Sequence, residues 1–405
     1  RSVEIAAEDC GYVIELYLER CCWQTFAWLN GKELGTCDSL VAPHVYDLSS
    51  AARPGINQLT IMVDNSNLKS AVFAVETDAD NGSGSDGSEH EDLVLDLNEE
   101  KRLKCGGHHT VFGGFAWNGI TGMIELNVRP KVRITELNVY PVVDQKKIKL
   151  ELTCANDLSS VIPASLSFSV KGLQTETEEI LSSIDLDCDP GANLLTHEIK
   201  LGSGMLLWDE FTPDLYTLFS TINTTQGADS HTTEFGMRCL SQRGTQMAIN
   251  ERPVFLRGAL ENFLHPITSY PPTDIEYWLD IFRVNKEHGL NHVRFHSCCP
   301  PAAAFRAADR LGIILNVELP GCSGAEPDDA ETLEYLQLEA LRILDTFGNH
   351  PSFCMLTMGN ELLYSGGEGD ARSQAVLMKR VALCRERDNR HWYCCTAHPH
   401  TEGRD

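Results

Sequence analysis

The sequence predicts a multidomain β plus α/β protein, in which two antiparallel β-sandwiches precede part of a (β/α)8 TIM barrel. Three observations carry that expectation. Short alternating apolar runs broken by turn residues fill the first third of the chain, and a second set of such runs follows as far as about Cys239. After Gln246 the strand-like runs begin to alternate with longer helical patterns, the signature of a parallel sheet covered by helices. The expected domains are 1–131, 132–245 and 246–405.

In the first region the runs VIELYLE, TFAWLNGKELG, HVYDLS and NQLTIMVDN succeed one another between Val13 and Asn65. Asn30-Gly31 separates FAWL from KELG, and both positions of a two-residue hairpin turn need residues that tolerate positive φ. The stretch 78–92, DADNGSGSDGSEHED, has no apolar periodicity and reads as a mobile acidic loop. Pairing resumes with TVFGGFAWNGITGMIELNV and closes near Pro130. Trp23, Trp28 and Trp117 sit in alternating strands and are expected in the interior of this sandwich. The second region, VRITELNVYPVV, KIKLELTC, ASLSFSV, LTHEIKL and LYTLFSTIN, fits an immunoglobulin-like sandwich of roughly 100 residues.

From Gln246 onward VFLRGA, NHVRFH, IILNVEL, SFCMLTMGNEL and WYCCTAH read as five strands. Between the first two, Thr273 and Glu276 have capping-box spacing ahead of the stripe Ile275, Trp278, Leu279 and Phe282, and Gly289 ends the helix. A short helix runs through Phe305, Ala308 and Leu311. Leu333, Leu336, Ala340, Ile343, Leu344 and Phe347 line a third helix closed by Gly348, and a fourth spans about 374–387. A complete barrel of this kind needs about 250 residues. The sequence therefore reads as the front part of one, and as a piece of a longer protein, since it opens at Arg1 with neither a start Met nor an apolar leader.

Composition removes several function classes. Lys and Arg number 33 against 58 Asp and Glu, a formal net charge of -25, which repels nucleic acid and anionic membrane surfaces. No stretch approaches the roughly 20 consecutive apolar residues of a membrane-spanning helix. The fifteen cysteines show no CxxC spacing, so they read as buried packing residues. Their odd number leaves at least one thiol unpaired and leans towards a reducing compartment. His108-His109 lacks a matching set of metal ligands; no metal and no cofactor are expected, and the compartment is not readable.

Active sites of α/β barrels lie at the C-terminal ends of the strands. Those ends present Asn262 and His265, Arg294 and His296, Glu318, Asn360 and Glu361, then His398 and His400. So many His, Arg and carboxylate groups on one rim point to chemistry on a polar substrate. Glycoside hydrolysis needs two carboxyl groups flanking the scissile bond, one of them protonated. Glu361 follows the apolar run FCMLTM, surroundings that favour the proton-bearing form, and is the candidate general acid/base; the plainer alternative is that it caps the segment that follows. Asn360, Arg294, His296, Glu318, His265, Asn262 and His398 are the candidate substrate-binding residues. For Arg294 the plainer alternative is a structural ion pair with Glu318.

LTMGNE preceded by NHPS resembles the acid/base motif of glycoside hydrolases with (β/α)8 barrels. RPVFLRGALENFLHP and GLNHVRFHSCCPPAAAFRAADRLGIILNVELP resemble the first three barrel strands of glycoside hydrolase family 2, which includes β-galactosidases, β-glucuronidases and β-mannosidases. Upstream, ERCCWQTFAWLNGKELGTCDSLVAPHVYDLS with PGINQLTIMVDN resembles the family's sugar-binding jelly-roll domain, and WNGITGMIEL its last strands. LLWDEFTPDLYTL and TEFGMR resemble its immunoglobulin-like module. The resemblance covers nearly the whole chain and rests on the order and spacing of these motifs.

What it implies is a retaining exo-glycosidase cleaving terminal β-linked sugars, β-galactosidase-type first and β-glucuronidase or another β-glycosidase second. Glu361 would be the acid/base, and the nucleophilic Glu would follow a seventh strand that this sequence does not contain, so the fragment alone is expected to be inactive. Cys298 and Cys299 stand where an aromatic or polar residue would face the sugar, and VELPGCSG lacks the Glu-x-His metal pattern of some family members. A non-catalytic carbohydrate-binding protein is the alternative from another class. The expected partner is a carbohydrate, with neither nucleic acid nor membrane, and a homo-oligomer is compatible with the sequence.

Overall fold

The structure is a computed structural model that describes residues 1–65, 117–174, 177–320, 330–360, 362 and 368–395. The acidic stretch 78–92, His108-His109, Glu361, His398 and His400 lie outside those residues. Among the described residues the chain is mostly β, with four α-helices.

Near the N-terminus a four-stranded antiparallel sheet runs in the order Ser2–Ile5, Gly55–Asp64, Gln24–Leu29, Lys32–Cys37. A three-stranded one runs His44–Asp47, Val13–Leu18, Ile124–Arg129. Alternation along the strands places Ile14, Leu16 and Leu18 of one sheet in a common core with Ala27, Leu29 and Leu59 of the other. Asn30 and Gly31 have φ of 54° and 80°, and Leu29 pairs with Lys32 across them. This is the two-residue turn the sequence predicts, its twist matching that of the flanking strands.

Residues 132–235 form two facing antiparallel sheets. One is Val132–Val142, Lys147–Asn156, Gly191–Lys200; the other is Ile180–Cys188, Ile162–Gly172, Tyr216–Thr224, Gly227–Phe235. Leu150, Leu152 and Ile199 from the first meet Leu166, Phe168 and Leu218 from the second in a single core. The edge strand Ile180–Cys188 is passed over in the sequence because its inward positions before Cys188 are only half-buried and Ser183, Asp185 and Asp187 share its outer face with Leu181.

A short antiparallel sheet, Leu240–Arg243, Gln246–Ile249 and Arg252–Pro253, leads into a five-stranded parallel sheet. Its strands, in chain order and in spatial order, are β1 Gly258–Glu261, β2 His292–Phe295, β3 Ile314–Glu318, β4 Phe353–Thr357 and β5 Trp392–Cys394. Between them lie α1 Ile275–Glu287, α2 Ala302–Leu311, α3 Ala330–Phe347 and α4 Glu368–Arg387. Leu315 and Val317 of β3 pack in the core that α1 to α4 share, with Phe282, Phe305, Leu344 and Leu377. The alternate residues, Asn316 and Glu318, are buried on the opposite face of the sheet.

Two local expectations are corrected. The first parallel strand begins at Gly258 rather than Val254. Before that point Val254 N–H bonds to Met247 O at 2.9 Å and Arg257 N–H to Asn291 Oδ1 at 2.8 Å, so the chain is committed to other partners until Gly258 faces His292. The N-cap of α1 is Asp274 and not Thr273: its carboxylate accepts from Glu276 N–H at 3.2 Å.

Trp23 and Trp117 are also corrected. They are buried, but in the core of the helices and parallel sheet rather than in the sandwich that carries them. Trp117 packs on Phe263 and its indole N–H donates to Ser269 O, while Trp23 meets Tyr335 edge-on with ring centroids 5.7 Å apart. Trp28 is half-buried against Phe26.

The first β-unit is thereby seated on the α/β unit. The buried Glu339 of α3 accepts from Ser39 Oγ at 3.0 Å and Leu40 N–H at 2.9 Å. Burial raises the Glu339 pKa, opposed by Arg342 and these hydrogen bonds. The sandwich 132–235 is tied to the N-terminal edge of the parallel sheet by Arg238, which donates to Pro351 O, Arg390 O and Phe353 O at 2.6–2.7 Å. A cavity of about 200 Å3 lies at this junction, with Arg238, Asn349, His350 and Arg390 in its wall.

Losing Arg238 would leave the carbonyls of Pro351 and Arg390 short of a donor, each worth roughly 1–3 kcal/mol when buried and unsatisfied, while Phe353 O would keep His391 Nδ1 at 2.6 Å. Arg238→Met is expected to lower stability by about 3 kcal/mol or more in urea unfolding. Leu194→Ser, at a site 82% exposed, should stay within about 0.5 kcal/mol.

Candidate active site at the ends of the parallel strands

Parallel register decides which side chains meet. Arg294 of β2 faces Asn316 of β3, and Glu318 at the end of β3 faces Thr357 of β4. Thr357 Oγ donates to Asn316 Oδ1 at 2.9 Å, forming a polar rung below the strand ends. Above it Glu318, with no solvent exposure, accepts from Arg294 Nε at 2.6 Å. Arg294 Nη2 lies 2.6 Å from the same Glu318 oxygen and also donates to Asn360 Oδ1 at 2.6 Å. A buried carboxylate persists only when paired and hydrogen-bonded. Here the guanidinium fork supplies the charge-assisted bonds, and Ser297 N–H supplies another at 2.7 Å to the second oxygen.

Three of the predicted residues, Arg294, Glu318 and Asn360, are therefore one hydrogen-bonded chain across β2, β3 and β4. Arg294 makes the ion pair with Glu318 that is its plainer reading and reaches Asn360 as well. His296 is buried beside them, its Nδ1 3.2 Å from Ser297 Oγ, and its backbone N–H bonds to Glu261 O at 2.9 Å. Asn262 and His265 follow β1. His265 is buried among Phe263, Tyr277 and Trp278, with Nδ1 2.8 Å from Tyr277 Oη. Asn262 Oδ1 and His265 Nε2 are both buried with no hydrogen-bond partner among the described residues. Glu361 and His398 lie outside the described residues.

Sequence reasoning missed Ser297 and Glu261. Ser297 acts through its backbone, at φ 55°, and nothing in its residue type announces that role. Glu261 was legible as a carboxyl at the end of β1, next to Asn262. Burial raises its pKa, opposed by the N–H groups of Phe263 and Asn262, and parallel register sets it opposite Phe295, one residue past the Leu260 that faces Arg294. Cys298 and Cys299 are buried, and burial pushes both thiols up. They are packing residues under the rim and do not present a surface to a ligand. Among the described residues no cluster of His, Cys, Asp and Glu has the arrangement of a metal site.

The arrangement offers fixed polar groups to a ligand: a guanidinium, an oriented amide and a buried carboxylate gathered where successive parallel strands end. Residues 132–238 match the sequence model of the family described as glycosyl hydrolases family 2. A β-galactosidase of Leuconostoc mesenteroides is 22% identical over 368 residues, 87% of this chain and 31% of its own length. A β-galactosidase of Aeromonas hydrophila is 25% identical over 353 residues, 83% of this chain and 30% of its own. In three dimensions the β-glucuronidase of Bacteroides uniformis superimposes with a TM-score of 0.77 at 17% identity, over 98% of this chain and 46% of that one. The chain spans about a third of the length of these curated relatives and just under half of the solved structure.

Burial lowers the His265 pKa to about 4, so its ring is neutral at the pH of most assays. An unfolded histidine takes up its proton near pH 6.5. Its contribution to stability is thus complete above pH 6.5 and is lost as the pH falls towards 4, with a slope of at most about 1.4 kcal/mol per pH unit. His265→Phe is expected to remove that part of the slope in urea unfolding between pH 6.5 and 4. Parallel profiles for parent and variant would contradict the assignment.

Proposed function

We propose that this chain, which belongs to glycosyl hydrolases family 2, supplies the acid/base half of a retaining exo-β-glycosidase. The single observation that carries the reading is the hydrogen-bonded Asn360–Arg294–Glu318 chain at the C-terminal ends of successive parallel strands. We read those five strands as the first five of a (β/α)8 barrel. Their order follows the chain, helices cover one face, and Asn316 and Glu318 are buried on the other, where a barrel places its interior. The two units before them are read as a jelly-roll sandwich and an immunoglobulin-like sandwich.

In this mechanism Glu361, next in sequence to Asn360, protonates the glycosidic oxygen as the bond to the leaving group breaks. A second carboxylate, contributed from outside these 405 residues, attacks the anomeric carbon to give a glycosyl-enzyme. Glu361 then takes a proton from water, which releases the sugar with retained configuration. Retention requires the two carboxyls to stand about 5–5.5 Å apart. Arg294 holds Asn360 by its amide oxygen, which fixes the edge of the amide that donates to a sugar hydroxyl. Glu318 keeps the guanidinium in place. Asn262, His265 and His296 complete the wall of the sugar pocket, and His398 remains a substrate-binding candidate from the sequence alone.

β-Galactosidase is the first activity to assay. β-Glucuronidase is the second reading, favoured by the name of the structural relative with a TM-score of 0.77. A screen of the full-length protein against nitrophenyl β-glycosides decides between them, and cleavage of none would favour a carbohydrate-binding protein instead.

In the active full-length protein Glu361→Gln should lower kcat/KM on unactivated glycosides by about 100-fold or more, within the usual range for a general acid. Aryl glycosides with good leaving groups should suffer less in the first step. Equal activity of parent and variant on both kinds of substrate would refute the role.

A further inference from the structure

The first β-unit sends one cation into the α/β unit directly under the rim. Arg20 is only 2% exposed, and its Nη2 donates to Cys299 O at 2.8 Å. Its backbone is clamped by antiparallel bonds on both sides, Glu19 N–H to Met123 O at 2.9 Å and Thr121 N–H to Arg20 O at 3.0 Å. Gly122 lies so close to Glu19 that an added Cβ would fall 2.6 Å from its Cβ. The guanidinium is therefore delivered from a rigid base. Its other terminal nitrogen is buried with no hydrogen-bond partner among the described residues, an expensive arrangement for a charged donor that packing alone does not require.

The loop it grips is the one that fixes Glu318. Ser297, at positive φ, gives its N–H to Glu318 Oε2, and Glu318 N–H bonds back to Cys298 O at 3.2 Å. A non-glycine residue in the left-handed region is strained and stays there only when its surroundings hold it. Arg20 supplies such a hold two residues later. The charge also suits the place: the Cys298 thiol, pushed up chiefly by burial, feels Glu261 and Glu318 on one side of its balance and Arg20 on the other.

We propose that Arg20 is a positioning residue of the carbohydrate site, acting from the first β-unit by fixing the Ser297–Cys299 turn that sets Glu318, and through it Arg294 and Asn360. The inference rests on the function proposed above for its catalytic consequence, and on the geometry alone for the anchor. It makes the N-terminal unit part of the active-site scaffold, with no need for that unit to bind sugar itself.

The test compares Arg20→Met, Arg20→Lys and Arg342→Met in the full-length protein. Arg342 lies in the same inter-unit contact, 2.7 Å from Asp38, but does not touch the rim. Hydrogen exchange at the Ser297 amide reads the anchor without any substrate. Hydrolysis of an aryl β-glycoside reads its consequence. Arg20→Met should speed that exchange at least tenfold and lower kcat at least tenfold, with KM changed less than threefold. Arg20→Lys, which keeps the charge, should fall between it and the parent even if the methionine variant folds poorly. Arg342→Met should leave kcat within twofold. Unchanged Ser297 exchange in either Arg20 variant, or an equal kcat loss in Arg342→Met, overturns the proposal. A parent that cleaves no glycoside sinks the proposed function, and exchange alone then decides whether Arg20 is the anchor.

Discussion

A carboxylate with no access to water dictates the architecture of the strand ends. Glu318 is buried and ionisable, and taking its charge out of water costs several kcal/mol unless donors surround it. Arg294 from β2 and Ser297 N–H from the loop beyond β2 meet that demand. Asn360, beyond β4, then receives the remaining reach of the guanidinium. One buried charge thus sets the relation of three strands, and it does so at the end of the sheet where parallel α/β folds build their sites. Replacing such a pair with apolar residues often costs nothing in stability. Its presence is better explained by what it orients than by what it stabilises.

The two ends of the parallel sheet are treated differently. At the N-terminal edge Arg238 and Arg390 spend their donors on backbone carbonyls and on Asp388, binding the middle sandwich in place. At the C-terminal edge the polar groups bond one another, and Asn262 Oδ1 and His265 Nε2 have no hydrogen-bond partner among the described residues. Donors spent on backbone carbonyls at one end and side chains bonded to one another at the other are the contrast expected between a structural joint and a binding site. The first β-unit touches both roles, through the Glu339 joint and through Arg20 beneath the rim.

Much of this was legible from sequence because its causes are local. Alternation gave the sandwich strands, Asn30-Gly31 gave the hairpin, and the change from period two to helical period marked the start of the α/β unit. Arg294, Glu318 and Asn360 were found because strand ends are predictable once strands are. What sequence could not supply was non-local. The start of β1 depended on a bond from Arg257 to Asn291, 34 residues away. Trp23 and Trp117 looked like interior residues of their own sandwich, and only the docking of two units shows which interior they fill. Ser297 and Arg20 work through a backbone amide and a backbone carbonyl, partners that leave no mark on side-chain patterns.

The most direct measurement is a crystal structure of the full-length protein with a non-hydrolysable β-thioglycoside bound. The account predicts a pyranose ring at the C-terminal ends of β1 to β5, with Asn360 or Arg294 at hydrogen-bonding distance, roughly 3 Å, from its hydroxyls. Sugar bound on either sandwich, with Arg294, Glu318 and Asn360 untouched, would contradict it.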